Sequence, residues 1–206
     1  MDNTNKQSSF WELLPLRGLG PIKFLDDRSV IQTYQSELGL VTAERSESLE
    51  EQKQNLLETF KLLREFLSEE DIKNTMEGLD TFGDSRENVS RVFMDSGISL
   101  EYEENQLLEI FADDRAKELH FQNMPFFSSN PKELIIFISK QLKETPHIHG
   151  EEVIFPEHKI FLYSFLIEQA GGTYQQGGKQ NRSVCWRNSE RVNGVDLAEY
   201  HPLNLI

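Results

Sequence analysis

Cysteine is almost absent: Cys185 stands alone, so no internal disulfide can form, and the cytoplasm is the expected location. Long apolar runs are missing too. No stretch approaches the length needed to cross a bilayer. The opening MDNTNKQSSFWELLPLRG lacks the basic region, apolar core and small-residue cleavage site expected of a secretory signal. Positive charge is scarce, with 21 Lys and Arg against 35 Asp and Glu and a net charge of −14. Without a basic footprint for phosphate, nucleic acid and anionic membrane surfaces are disfavoured as partners. A basic protein is favoured, because complementary fields steer association.

Catalytic signatures are equally sparse. No helix carries His-Glu-x-x-His, and no Asp-x-Asp-x-Asp-Gly calcium loop is present. AGGTYQQGGKQN, residues 170–181, has the glycines of a phosphate loop but not its order, since Gln180 follows Gly178-Lys179 and no helix signal comes after. Gly18-Leu19-Gly20-Pro21 fails as a dinucleotide fingerprint because Pro21 has no N–H and the third glycine is missing. Cys185, between Val184 and Trp186, reads as a buried structural cysteine, with no helix start behind it to stabilise a thiolate. No cofactor is expected.

What remains describes a packed fold. The hydrophobic fraction of 37%, with 14 Phe, is lean but too apolar for disorder, and 206 residues suit a single domain, 1–206. Ile22 and Phe24 alternate with Lys23 as in a short strand. Asp26 or Asp27 caps a turn in which Val30, Ile31, Tyr34 and Leu38 share a face, stopped by Gly39. Ser48 and Glu51 have capping-box spacing before a helix over 49–67, marked by Leu56, Phe60, Leu63 and Leu67. Ser68 caps a shorter helix ending near Gly78, so 44–83 reads as a helical-hairpin insertion. No internal repeat is evident.

Beyond Ser85 the period changes to two. Ile98, Leu100 and Tyr102 alternate with Ser99, Glu101 and Glu103, the pattern of a strand with one buried face, and Glu104-Asn105 is a tight-turn candidate. Asn130-Pro131-Lys132-Glu133 starts a helix lined by Leu134, Ile135, Ile138 and Leu142. Strands are expected at 153–155, 160–166 and, last, 183–186. The fold class is α+β, a mainly antiparallel sheet packed with helices.

Two clusters carry possible chemistry. In HIHGEEVIFPEHKIFLY, residues 147–163, His147, His149, Glu152 and His158 allow a metal-dependent enzyme, although the spacing is short for the cupin motif that His147-x-His149 resembles. The preferred reading places the first two histidines in a solvated turn and leaves His158 solvated as well. Between Ile98 and Glu118, seven acidic residues face two basic ones, −5 in 21 residues. Glu101, Glu103, Glu104, Glu109, Asp113 and Asp114 are therefore the candidate partner-binding residues. The charge is uneven along the chain: residues 170–206 are +1, which leaves −15 for those before them.

Gly18-Leu-Gly-Pro-Ile-Lys-Phe24, the helix around Val30, Ile98-Ser-Leu-Glu-Tyr-Glu-Glu-Asn105 and Val153-Ile-Phe-Pro-Glu-His-Lys-Ile-Phe-Leu-Tyr163 give the chain a wider likeness. It resembles small bacterial cytoplasmic α+β proteins opening with Gly-x-Gly-Pro-Ile-x-Phe, some of them immunity proteins of toxin–immunity systems. Leu25-Asp26-Asp27 replaces the usual Gly-Met-Ser/Thr. The resemblance implies a non-enzymatic protein that binds a cognate toxin or effector and blocks its active site. The acidic balance points to a basic, nuclease-like target.

Overall fold

The computed structural model describes residues 9–46, 49–62, 68–82, 89–188 and 197–205. Three short strands open it as a small antiparallel sheet: β1 (Leu13–Leu14), β2 (Gly18–Leu19) and β3 (Ile22–Lys23). Asp27 caps α1 (Arg28–Gln32), its carboxylate accepting from the Ser29 N–H at 2.8 Å. Helix α2 (Gln35–Leu38) ends at Gly39, where φ is 93°. Strand β4 (Val41–Arg45), helices α3 (Leu49–Leu62) and α4 (Glu69–Phe82) and strands β5 (Val89–Met94), β6 (Ile98–Glu103) and β7 (Gln106–Asp113) follow. Glu104 and Asn105 link β6 to β7 with φ of 50° and 67°, the left-handed pair that a two-residue hairpin turn demands.

A second series begins with the hairpin β8 (His120–Phe121) and β9 (Met124–Pro125). Asn130 then caps α5 (Pro131–Leu142), accepting from the N–H groups of Lys132 and Glu133 at 3.0 and 3.3 Å. Strands β10 (His147–His149), β11 (Glu152–Phe155) and β12 (Ile160–Tyr163) run antiparallel. A hairpin of β13 (Leu166–Gln169) and β14 (Thr173–Gln176) and a 3₁₀ turn at Lys179–Asn181 precede β15 (Ser183–Arg187). A 3₁₀ turn at Leu197–Glu199 leads into β16 (His201–Pro202).

Among the described residues the main sheet has nine strands in the order β16-β10-β11-β12-β15-β7-β6-β5-β4, every neighbouring pair antiparallel. With the helices this is an α+β fold, as expected. The order repeats itself although the sequence shows no repeat. Helices α1 and α2 precede the strands β4–β7, α5 precedes β10, β11, β12 and β15, and the last strands of the two series meet at the centre.

One face of the sheet supplies the core. Leu100, Ile110, Ile148, Val153, Leu162, Val184 and Trp186 pack there with Ile31 and Leu38 of α1 and α2 and with Leu134, Ile135 and Ile138 of α5. Trp186 is fully buried and donates its Nε1–H to the Gly18 carbonyl at 2.8 Å, tying the N-terminal sheet to the central strand. Gly18 has φ of 138°, and a Cβ there would lie 2.0 Å from the Ile22 oxygen, so only glycine fits.

Several expectations change. Glu44 and Arg45 belong to β4, not to a helical hairpin, and α4 continues past Gly78 to Phe82. Ser48, Leu63, Leu67 and Gly83 lie outside the described residues. Val30 is 45% exposed, so only part of the 30–38 face is buried. The 160–166 stretch breaks at Ser164, whose φ is 53°, and the strand expected at 183–186 is present as β15 but is followed in the chain by β16. Strand β6 is covered on both faces, because Ser99 and Glu101 are buried along with Leu100 and Tyr102.

Candidate functional site

The sheet's other face is built in registered rows, since alternate residues of each strand project to it. One row runs Arg45, Arg91, Glu101, Glu109, Arg187 across β4, β5, β6, β7 and β15. Next to it runs Ala43, Phe93, Ser99, Phe111, Cys185, Phe161, Ile154, continuing to His147. Ile154, Phe161 and Cys185 form a second buried cluster, with Phe111, Tyr163 and Tyr200 packed against it. Phe93, Phe111 and Tyr163 stay half-buried.

Glu101 and Glu109 are cross-strand neighbours, a placement that repels unless each charge is answered. Arg91 pairs with Glu101 from one side. Arg187 Nη1 reaches Glu109 Oε2 at 3.0 Å from the other. Burial opposes the Arg91 charge, yet the Glu101 hydrogen bond and the fields of Glu101 and Glu109 hold its pKa above the ordinary value. The Arg187 guanidinium lies 4.2 Å from the Phe161 ring centroid, and that of Arg45 lies 5.6 Å from Phe93. Aromatic and ionic rows are thus stitched together by arginines.

The six acidic candidates separate into three places. Glu101 and Glu109 lie mid-sheet in the ion pairs just described. Glu103 and the exposed Glu104 stand at one end, where Leu25 N–H donates to the Leu107 oxygen at 2.8 Å and Arg28 N–H to the Asn105 oxygen at 2.9 Å. Those bonds bring Asp26 and Asp27 beside the β6–β7 turn, acids that sequence reasoning assigned only to helix capping. Asp113 and Asp114 lie at the opposite end, with Asp113 Oδ2 2.7 Å from Arg115 Nη2. By strand alternation Glu101, Glu103, Glu109 and Asp113 all belong to this second face. Half of the candidate set faces solvent less than its sequence implies: Glu101 is 5% exposed, and Glu109 and Asp113 are held by arginines.

The register brings three of the four metal candidates together, with His149 opposite Glu152 across β10 and β11 and His147 two residues along the same face, and leaves His158 apart in the turn between β11 and β12. His147 and His149 lie on β10, a paired strand rather than a solvated turn. His149 Nδ1 is 3.0 Å from the Glu199 carbonyl oxygen, and the Tyr200 hydroxyl donates to Glu152 Oε2 at 2.8 Å. His158 is not simply solvated either: its Nδ1 lies 2.6 Å from Oε2 of the buried Glu144, whose Oε1 accepts the Glu157 N–H at 2.6 Å. Among the described residues, no group of three or more His, Cys, Asp or Glu is placed to hold a metal ion.

Sequence reasoning gave Arg91, Arg187 and Phe111 no functional role, because the cross-strand neighbours that define their place are not local in the sequence. No helix among the described residues is long and apolar enough to cross a membrane. Comparison with protein-family models, curated proteins and solved structures returned no match.

Proposed function

We propose that the chain is a non-enzymatic immunity-type protein that binds a basic toxin or effector in the cytoplasm and blocks its active site. The observation that supports this is the second sheet face. Half-buried Phe93, Phe111 and Tyr163 occupy its middle, and acidic Glu103, Glu104, Asp113 and Asp114 stand at its ends. An aromatic centre with a charged rim is the anatomy of a protein-binding patch. The net charge of −14 selects a basic partner and would speed its approach. Acidic rim residues would occupy a site built for phosphate, hence a nuclease-like target. The likeness of Gly18–Phe24 to the opening of known immunity proteins points the same way. On this reading the chain is one domain, and α3–α4, lying in sequence between the paired strands β4 and β5, is an insertion in it.

A second reading rests on α3, where Leu57 is 36% and Leu62 84% exposed: an adaptor whose helices carry the contact. Capture of the tagged full chain's partner from its host at low salt, read by quantitative mass spectrometry, tests the main proposal. One dominant basic protein at near one-to-one is expected. Absence of any stoichiometric partner, with the bait folded, would sink it. Loss of that partner on deleting 49–82 from a still-folded chain would favour the adaptor.

A further inference from the structure

Helix α5, the Thr145-Pro146 link that follows it and the segment after β16 border an open cavity of about 210 Å³. Ile135 and Ser139, like Ile136 and Lys140, are four residues apart, so they form neighbouring stripes on one side of the helix. Pro146, Leu203 and Leu205 form the facing wall, fixed where the Leu203 N–H donates to the Pro146 oxygen at 2.8 Å. Ile135, Pro146 and Leu203 are buried and Ile136 and Leu205 half-buried, which makes the floor apolar. The Ser139 hydroxyl donates to the Glu144 carbonyl oxygen at 2.8 Å. Lys140, Thr145 and Asn204, all exposed, are left to supply the polar groups of the rim. The Lys140 charge is unanswered. Glu144, the acid nearest to it in sequence, is buried and committed to the Glu157 N–H and to His158. Among the described residues no carboxylate lines the cavity or pairs with Lys140, although the chain has 35 acidic residues to offer.

We infer that this cavity binds a short aliphatic monocarboxylate, with its chain against Ile135, Ile136 and Leu203 and its carboxylate toward Lys140. The volume decides the size: at about 30 Å³ per water it holds roughly seven waters, room for about six to eight heavy atoms. A drug-sized ligand needs a larger pocket. The lining decides the chemistry. A sugar or a phosphate would leave polar groups without partners over the apolar floor, whereas an alkyl chain loses nothing there. One unpaired cation at the rim selects one negative charge. Ile135 and Leu203 belong to the main core, so this site is separate from the face proposed to bind protein.

Thermal unfolding of the full chain in sodium hexanoate, against sodium chloride at matched ionic strength, tests this. The wild-type Tm is expected to rise saturably with hexanoate, and Ile136→Trp, which fills the cavity, should abolish the rise. Lys140→Ala, at an exposed position, should need about two- to fivefold more hexanoate for the same rise. Its response to 1-hexanol, which has the chain without the charge, should match that of wild type. Absence of a saturable wild-type rise, an undiminished rise in Ile136→Trp, or equal hexanoate responses in wild type and Lys140→Ala would overturn the inference. An equal loss of the 1-hexanol response in Lys140→Ala would do the same. If Ile136→Trp does not fold, the Lys140→Ala titrations decide alone.

Discussion

Glu101 and Glu109 stand directly opposite each other across β6 and β7, and each is neutralised by an arginine from the next strand outward. Two like charges in the middle of a sheet are tolerated only because Arg91 and Arg187 bracket them. Arg187→Met should therefore destabilise the fold by about 3–5 kcal/mol, since it leaves the Glu109 carboxylate without its partner. Arg91→Met should cost about as much, because it removes the arginine facing the Glu101 carboxylate, which is only 6% exposed. The double change Arg187→Met/Glu109→Leu should recover most of the loss. Urea denaturation of the three variants measures all of this.

The ladder also shows where sequence reasoning stops. The Glu104-Asn105 turn and the Asn130 cap were legible because their physics is local: left-handed φ in one case, a side chain meeting N–H groups two and three residues on in the other. The partner of Glu109 was not, because β15 comes from the far end of the chain, and that of Glu101 was not, because it depends on the register of β5 against β6. Hence the acidic run read as one exposed patch, while the register divides it among two ends and a paired middle. Strand β4 was missed for a related reason. All its residues are exposed, so it carries no apolar alternation and is identified by its pairing with β5.

Trp186→Phe should lower stability by about 1–3 kcal/mol, because the Gly18 carbonyl then loses its donor in a buried setting. Gly18→Ala should be worse, as its Cβ would overlap the Ile22 oxygen. Thermal midpoints of the two variants against wild type check both.

Burial raises the Tyr102 hydroxyl from its ordinary value to about 12, against a smaller opposing effect of the Arg28 charge. The folded chain thus keeps this proton when the unfolded chain has lost it. The stability it contributes is complete below pH 10 and falls as pH climbs through about 12. Spectrophotometric titration should show a late tyrosine step that disappears in Tyr102→Phe.

Glu144→Ala should loosen the 156–159 turn, since the one buried carboxylate holds both the Glu157 N–H and His158. The expected cost is about 1–3 kcal/mol. His158→Ala removes only one of those contacts and should cost less. Chemical denaturation distinguishes them, and equal losses would contradict this division.

The claim at the centre of the account is that the second sheet face and its acidic rim receive a basic protein. It is tested most directly by the association rate of the captured partner at two ionic strengths, with wild type and with Glu103→Lys/Glu104→Lys/Asp113→Lys/Asp114→Lys. Slower association and a flatter salt dependence in the reversed variant are predicted, because steering depends on those charges. An unchanged rate with an unchanged salt dependence, in a variant with wild-type thermal stability, would contradict the claim and move the interface elsewhere on the molecule.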